Sequence, residues 1–463
     1  MYQFEKLEAR SLLSGHLSNI QYMPEGFSAN TIEESVEIVN AGTGDSEWEL
    51  WARYESGDRD QLLASGVLSG SERHEVSIVQ SGTPSIVREN EPYALELLTE
   101  SPEIHAVLRH DDFGAGTAQH FSGRTGSDFG IPVVTKDDSR SRDFVLFYNP
   151  GSTPVTIELE IEHEHGQTFT FVKTVEGQRR GGWNISQIAS LPTGRYTAKI
   201  TSSGAIALGG TSYDILNAAA TIVTASAEPA LAGAILSAEF DGGSSPSDDT
   251  VLSVYNPGAS AANVTFFAIG RDNSSPVSGP SMFSVTLAAG ESQAISLRGQ
   301  GYSSSDSEFS IIYRSDSAVA VSAVTERRGS LVFSQPETRA ATHWVFTQGH
   351  IDRLRGNELR SEDVFLFNPT GVSVVVTVTW TFENGQTVVE TKSLDPHEVE
   401  DPDARLSLAS VPSGGLSYIV NVVATGAVVA MLEHWDPIGV GTPFTSLGVP
   451  VAGTTSLSTT LTL

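Results

Sequence analysis

Residues 144–152 read FVLFYNPGS, five apolar positions in a row followed by Asn149, Pro150 and Gly151. One Asn-Pro-Gly is only a turn signal. The phrase returns, however, as VLSVYNPGA at 251–259, as VFLFNPTG at 364–371 and, with more drift, as VEIVNAGTG at 36–44. Its asparagines, Asn40, Asn149, Asn256 and Asn368, stand 109, 107 and 112 residues apart. A constant period of this length marks a tandem array whose units have the size of β-sandwich domains.

The residues after each asparagine follow in step. Positions six, eight, ten and twelve beyond it are Val155, Ile157, Leu159 and Ile161 in the second copy. They are Ala262, Val264, Phe266 and Ala268 in the third, and Val374, Val376, Val378 and Trp380 in the fourth. The first copy has Ser46, Trp48, Leu50 and Ala52. Thr156, Glu158, Glu160 and Glu162 lie between the apolar positions, as a strand with one buried face requires. That strand runs into a tight turn at His165-Gly166, or Asn384-Gly385 in the fourth copy. The pattern predicts a type I′ hairpin, with both central residues at positive φ.

Two further apolar runs close each copy, beginning at Tyr93 and Glu103, Tyr196 and Ala205, Phe309 and Ala318, and Tyr418 and Ala427. The short Ser/Gly/Asp/Pro stretch between them predicts an antiparallel hairpin. An aromatic or apolar starter strand precedes each copy, near Ile20, Phe129, Gly233 and His343, and a fifth follows at Leu447. About seven strands per copy result, so the expected fold is all-β: four tandem immunoglobulin-like antiparallel β-sandwich modules. The expected units are 18–120, 121–227, 228–335 and 336–440, flanked by an export-like segment, 1–17, and a C-terminal strand segment, 441–463. Helix is expected only as short turns near 185–190 and 405–410. The starter strands leave open whether the array is a rod or closes on itself.

Composition narrows the chemistry. Fifty-six acidic against 27 basic residues give a net charge of −29, which repels phosphate backbones and argues against nucleic acid as a partner. No cysteine is present, which removes disulfides and thiolate-based zinc sites. No apolar run approaches the roughly 20 residues that span a bilayer, so no membrane insertion is expected. Neither a phosphate-binding loop nor a nucleophile elbow occurs, and the chain reads as no enzyme.

Two resemblances add to this reading. Leu7-Glu8-Ala9-Arg10-Ser11-Leu12-Leu13-Ser14 resembles the LEPR-x-LL signature near the N-terminus of large exported surface proteins of planctomycetes and some other bacteria, with Ala9 where the family has proline. The repeat is similar to NPG-type tandem β-sandwich domains of bacterial extracellular proteins. The fourth copy fits best, with Trp344 to His350 followed by Val364 to Asn368. The first resemblance implies export to the cell envelope or beyond. The second implies a surface-associated array without catalytic residues of its own.

Candidate sites are few. His163 and His165 share a strand face, a metal-ligand geometry, although His165 also sits where Asn384 makes a turn. His397-Glu398 lacks the second histidine of a zincin and falls on a turn. Acidic linkers carry Asp137, Asp138 and Asp143; Asp241, Asp248 and Asp249; and Asp352, Glu358, Glu362 and Asp363. Such carboxylates are weak calcium candidates that would stiffen the joints; no other cofactor is expected. Trp51 and Trp183 are expected to be accessible, whereas Trp48, Trp344 and Trp380 fall on core positions. The function expected is a structural or adhesive surface protein, with a glycan- or protein-binding array as the alternative.

Overall fold

The structure is a computed structural model. It describes residues 17–461 except 30–31, 58–59, 71, 81–82, 114, 164, 216–218, 225–228, 240–248, 271–282, 298–307, 328–329, 352–360, 383, 403–415 and 436–443. The export-like motif, the linker residues Asp241, Asp248, Asp352 and Glu358, and the expected turn at 405–410 lie outside the described residues.

Alternation in the sequence becomes alternation in burial. From Val155 to His163 every odd residue is buried and every even one exposed, and from Val374 to Phe382 in the fourth copy every second residue is buried, with exposed or half-buried residues between. The fold is all-β and antiparallel, built as sequential pairs of sheets. The first pair contains β1 (Asn19–Met23), β2 (Glu33–Asn40), β3 (Ser46–Tyr54), β4 (Gln61–Leu68), β5 (Arg73–Val79), β6 (Tyr93–Thr99), β7 (Ile104–Asp112) and β8 (Ala115–His120). One sheet has the order β1-β6-β3-β4 and the other β5-β2-β7-β8.

The second pair repeats this order. Its strands are β9 (Gly126–Lys136), β10 (Ser141–Asn149), β11 (Val155–His163), β12 (Thr168–Val175), β13 (Arg179–Asn184), β14 (Gly194–Asp214) and β15 (Ala219–Thr224). The third comprises β16 (Ala230–Glu239), β17 (Asp249–Tyr255), β18 (Ala262–Gly270), β19 (Phe283–Leu287), β20 (Ser292–Ser296), β21 (Glu308–Arg327) and β22 (Ser330–Ser334). The fourth comprises β23 (Arg339–Ile351), β24 (Ser361–Phe367), β25 (Val374–Phe382), β26 (Thr387–Leu394), β27 (Val399–Glu400), β28 (Leu416–Trp435) and β29 (Phe444–Leu447). After it come β30 (Val449–Ala452) and β31 (Thr455–Ser456), both paired with β23, and a short helix, Leu457–Thr460. A 3₁₀ turn at Ile185–Gln187 matches the helical turn expected there.

Two local expectations are corrected. The two closing runs are not a hairpin. In β14 they form one continuous strand whose first half pairs with β9 and β11, and whose second half pairs with β10 and β15 in the opposite sheet. Small residues permit this crossing at the sandwich edge: a Cβ on Gly204 would lie 2.7 Å from Val155 Cγ1, and one on Gly426 2.5 Å from Val374 Cγ1. The 163–167 turn is not type I′ either. The Gly166 amide bonds the His163 carbonyl, the His163 amide bonds the Gln167 carbonyl, and among the described residues of the turn only Gly166, at φ +83°, is left-handed. The fourth copy repeats this through Gly385, so the longer loop with a glycine bulge puts no left-handed demand on His165 or Asn384.

Each starter strand pairs within the unit that follows it, as β1 does with β6 and β9 with β14. The sequence reading missed the last strand of the first three units, β8, β15 and β22, whereas the last of the fourth, β29, falls in the expected C-terminal strand segment. These four strands also contact one another in cyclic order, β8 with β15, β15 with β22, β22 with β29, and β29 with β8. The array therefore closes on itself.

Packing between neighbouring units explains the anchor phrase. Val145 and Phe147 enter the core of their own sandwich, while Tyr148, beside Ala207 of its own unit, packs with Tyr22 and Ala94 across the seam to the preceding unit. In β24, Val364 and Leu366 face the local core, and Phe365 and Phe367 join Ala232, Ala234 and Leu236 of β16. Burial on both faces demands an unbroken apolar run rather than alternation.

The asparagine at its end is a staple. Asn149 Nδ2 donates to the carbonyls of Thr153, Val175 and Glu176 at 2.8, 3.2 and 3.1 Å, and its Oδ1 accepts from the Gly151 amide at 3.0 Å. Asn256 and Asn368 repeat all four contacts. One amide thus ties two turns of the sandwich together.

Candidate functional site

The seam between the first two units holds several paired polar and charged groups. Between the first two units, Glu96 accepts from Arg53 at 2.7 Å and from the Tyr148 hydroxyl at 2.7 Å. Arg180 reaches across to the Pro24 carbonyl at 2.9 Å and to Glu55 at 3.0 Å. Nearby, Glu34 accepts from the Tyr93 hydroxyl and lies 2.8 Å from His110 Nδ1. Burial by itself would push His110 down; the hydrogen bond and charge of Glu34 outweigh it and hold the imidazole up at about 9. The groups here are paired with one another, which is the condition for burying charge.

The seam that closes the array differs. Here the end of β8 and the start of β23 border an open cleft of about 670 Å³. His105 of β7 and His120 of β8 stand diagonally on one sheet face, because Val107 is the residue opposite His120. Burial lowers His105 to about 4; burial, with His105 beside it, lowers His120 to about 3. Both rings are neutral at physiological pH. His105 Nε2 is shut off from solvent without a hydrogen-bond partner.

Arg124 follows β8 and faces the Glu337–Arg339 pair, whose guanidinium grips the carboxylate twice, at 2.9 and 3.1 Å. Burial and then the Arg339 charge depress Arg124, and Glu337 offsets only part of this. Two guanidiniums and one carboxylate thus meet here in a chain whose net charge is −29. Sequence reading missed these residues because they lie on separate strands and on a distant linker. Only the closed array brings them together.

A smaller cleft of about 390 Å³ lies between the second and third units and includes His163. Its imidazole is occupied: Nδ1 accepts from the His165 amide at 3.2 Å and Nε2 lies 3.2 Å from the Thr193 carbonyl. The two rings sit 5.0 Å apart edge to face. His397 has φ +61° and bonds the Asn368 carbonyl through its amide, a turn position that Gln178 and Gly290 fill in the second and third units.

The acidic candidates are dispersed. Asp137 accepts from the Ser139 amide and hydroxyl, and Asp138 pairs with Lys136 at 2.6 Å. Asp143 is buried, accepting from the Thr135 amide at 2.6 Å and Ser212 Oγ at 2.8 Å, and burial pushes it up to about 7. Asp249 accepts from Ser296 Oγ, and Asp363 lies on β24 opposite Glu433. No cluster of three or more metal-ligating side chains occurs among the described residues. Trp48, Trp344 and Trp380 are core residues. Trp51 is half-buried, its indole N–H on Glu49 and the Arg53 guanidinium 4.9 Å from its ring. Trp183 is half-buried against Phe147. The two indoles do not form a shared platform in one unit.

No family model and no curated protein matches the chain. Among solved structures, the protein described as Thermotoga maritima 1070 is 23% identical, with a TM-score of 0.21; the match covers 24% of this chain and 97% of that one. A tetra-tandem repeat in the extending region of a large adhesion protein is 9% identical, with a TM-score of 0.10, over 94% of this chain and 99% of that one. At these scores neither likeness bears on fold or function.

Proposed function

We propose that this chain is a non-catalytic structural and adhesive protein of a bacterial envelope or exterior, acting as a closed scaffold rather than an extended spacer. The cyclic contact of β8, β15, β22 and β29 carries this reading. Seams lined by apolar side chains and paired buried charges favour a fixed arrangement over loosely linked beads. A rigid body of this kind presents its outer strands to partners at constant geometry. The LEPR-x-LL-like motif and the NPG repeat support export.

Small-angle scattering of the full chain tests the scaffold. A radius of gyration of about 23 Å is expected for a compact body of this length. A value well above it, with the scattering of a rod, would overturn the closed scaffold. The alternative, an array that binds a glycan or another surface protein, is favoured by one observation, the polar cleft at the closing seam.

A further inference from the structure

We propose that the free edge of β26 pairs with β26 of a second copy of this chain, joining two fourth-unit sheets about a two-fold axis at Thr391. Strand β26 ends its sheet, hydrogen-bonded on one side to β25, and no other described strand pairs with it. The Phe382 amide bonds the Gln386 carbonyl, and hydrogen-bonded pairs alternate with non-bonded ones along an antiparallel ladder. Val388, Glu390 and Lys392 therefore direct their backbone groups at β25, while Val389, Thr391 and Ser393 direct theirs outward. These last three residues lie exposed, Val389 at 60%. An edge of this length, without proline or register shift, is a template for another strand.

The side chains select both the occupant and the register. Centring the pair on Thr391 sets Glu390 against Lys392 of the second copy, and Lys392 against Glu390 of the second copy, with Val388 opposite Leu394. Both charged side chains keep their present contacts, in which Lys392 lies 3.5 Å from Glu390 and 3.2 Å from Glu400 of its own chain. Shifting the axis by one residue, to Glu390 or to Lys392, would place like charges face to face. The outer face of β25 and β26 carries only Val, Thr and Ser, and Val375 and the neighbouring Val423 are exposed on it. In the second unit the same face of β11 presents Glu158, Glu160 and Glu162, which would repel a copy of net charge −29. There the edge strand is also engaged, because Lys173 of β12 bonds Glu55 across the seam. Pairing through one edge buries little surface, so the dimer is weak and reversible.

Self-association goes beyond the scaffold reading, and the two fail separately: a compact monomer refutes only the dimer, and an extended chain that dimerises refutes only the scaffold. The full chain is followed by sedimentation equilibrium at about 0.15 M salt, where screening within about 8 Å mutes the repulsion between two acidic bodies. A concentration-dependent monomer–dimer equilibrium is expected, and hydrogen exchange should slow at the Val389, Thr391 and Ser393 amides as the dimer fills. Thr391→Pro removes an outward donor, leaves the bonds to β25 in place and should weaken association about tenfold or more. Charge variants separate edge pairing from a defect of folding. Glu390→Lys and Lys392→Glu should each weaken association, because like charges then face one another. An equimolar mixture of the two restores opposite charges across the axis and should associate as the parent chain does. A monomer at every concentration, a dimer without added protection at β26, or a mixture of folded variants no tighter than its components each overturns the proposal.

Discussion

Asn368 shows how much one side chain carries in this fold. Its amide satisfies three carbonyls from two turns, and its oxygen accepts the Thr370 amide. Asn368→Ala strands those groups and should cost about 2–4 kcal/mol, read as a lower denaturation midpoint at unchanged m-value. The recurrence of this residue was legible from spacing, but its wiring was not, because its partners come from a turn some 27 residues away. Asp143 gives a prediction about pH. Burial raises its carboxyl to about 7 from 3.8, so the folded chain holds a proton that the unfolded chain releases. Stability from this residue is lost as pH rises from about 4 through 7. Asp143→Asn keeps the shape and should gain on the order of 1 kcal/mol at pH 8 and nothing at pH 4, as thermal melts would show. The closing seam titrates in the other direction. His105 and His120 are held below 6.5, so unfolding takes up protons and stability falls as pH drops from about 6.5 towards 3. His110, held up at about 9, contributes fully below 6.5 and loses that contribution as pH climbs through 9. His110→Gln should therefore flatten the alkaline limb of a stability–pH curve and leave the acidic limb in place.

At the scale of elements, the strands that alternate were legible and those serving two masters were misread. β11 and β25 have one buried face each, so period two appears directly in their sequences. The closing runs looked like hairpins because Ser202-Ser203-Gly204 and Thr425-Gly426 have turn composition. Those small residues serve instead to let one strand change sheets. Gly426→Val should destabilise by about 1–3 kcal/mol through overpacking against Val374, measured by denaturant titration. The final strands of the first three units escaped notice because segments such as AGTAQH carry no alternation, and their pairing is provided by the neighbouring strand.

For the whole molecule, the decisive feature is the return of the fourth unit to the first. Tyr148 at the first seam tests how firmly the units are fixed. Tyr148→Ala removes a fully buried ring and one partner of Glu96, and should cost about 3 kcal/mol. Tyr148→Phe removes only the hydroxyl and should cost about 1 kcal/mol. Hydrogen exchange should rise at β1 and β10 in the alanine variant, because those strands lose the packing between them.

The class of fold, the period and the inward face of the alternating strands are all legible in the amino-acid order. Those depend on local rules, in which a buried face repeats every second residue and a turn needs its particular side chains. The closed array, the reason that FVLFY is apolar throughout, and the sharing of one cleft by His105, His120, Arg124 and Arg339 emerge only in three dimensions. Each of these depends on which unit lies against which, and sequence spacing carries no term for contacts between distant surfaces.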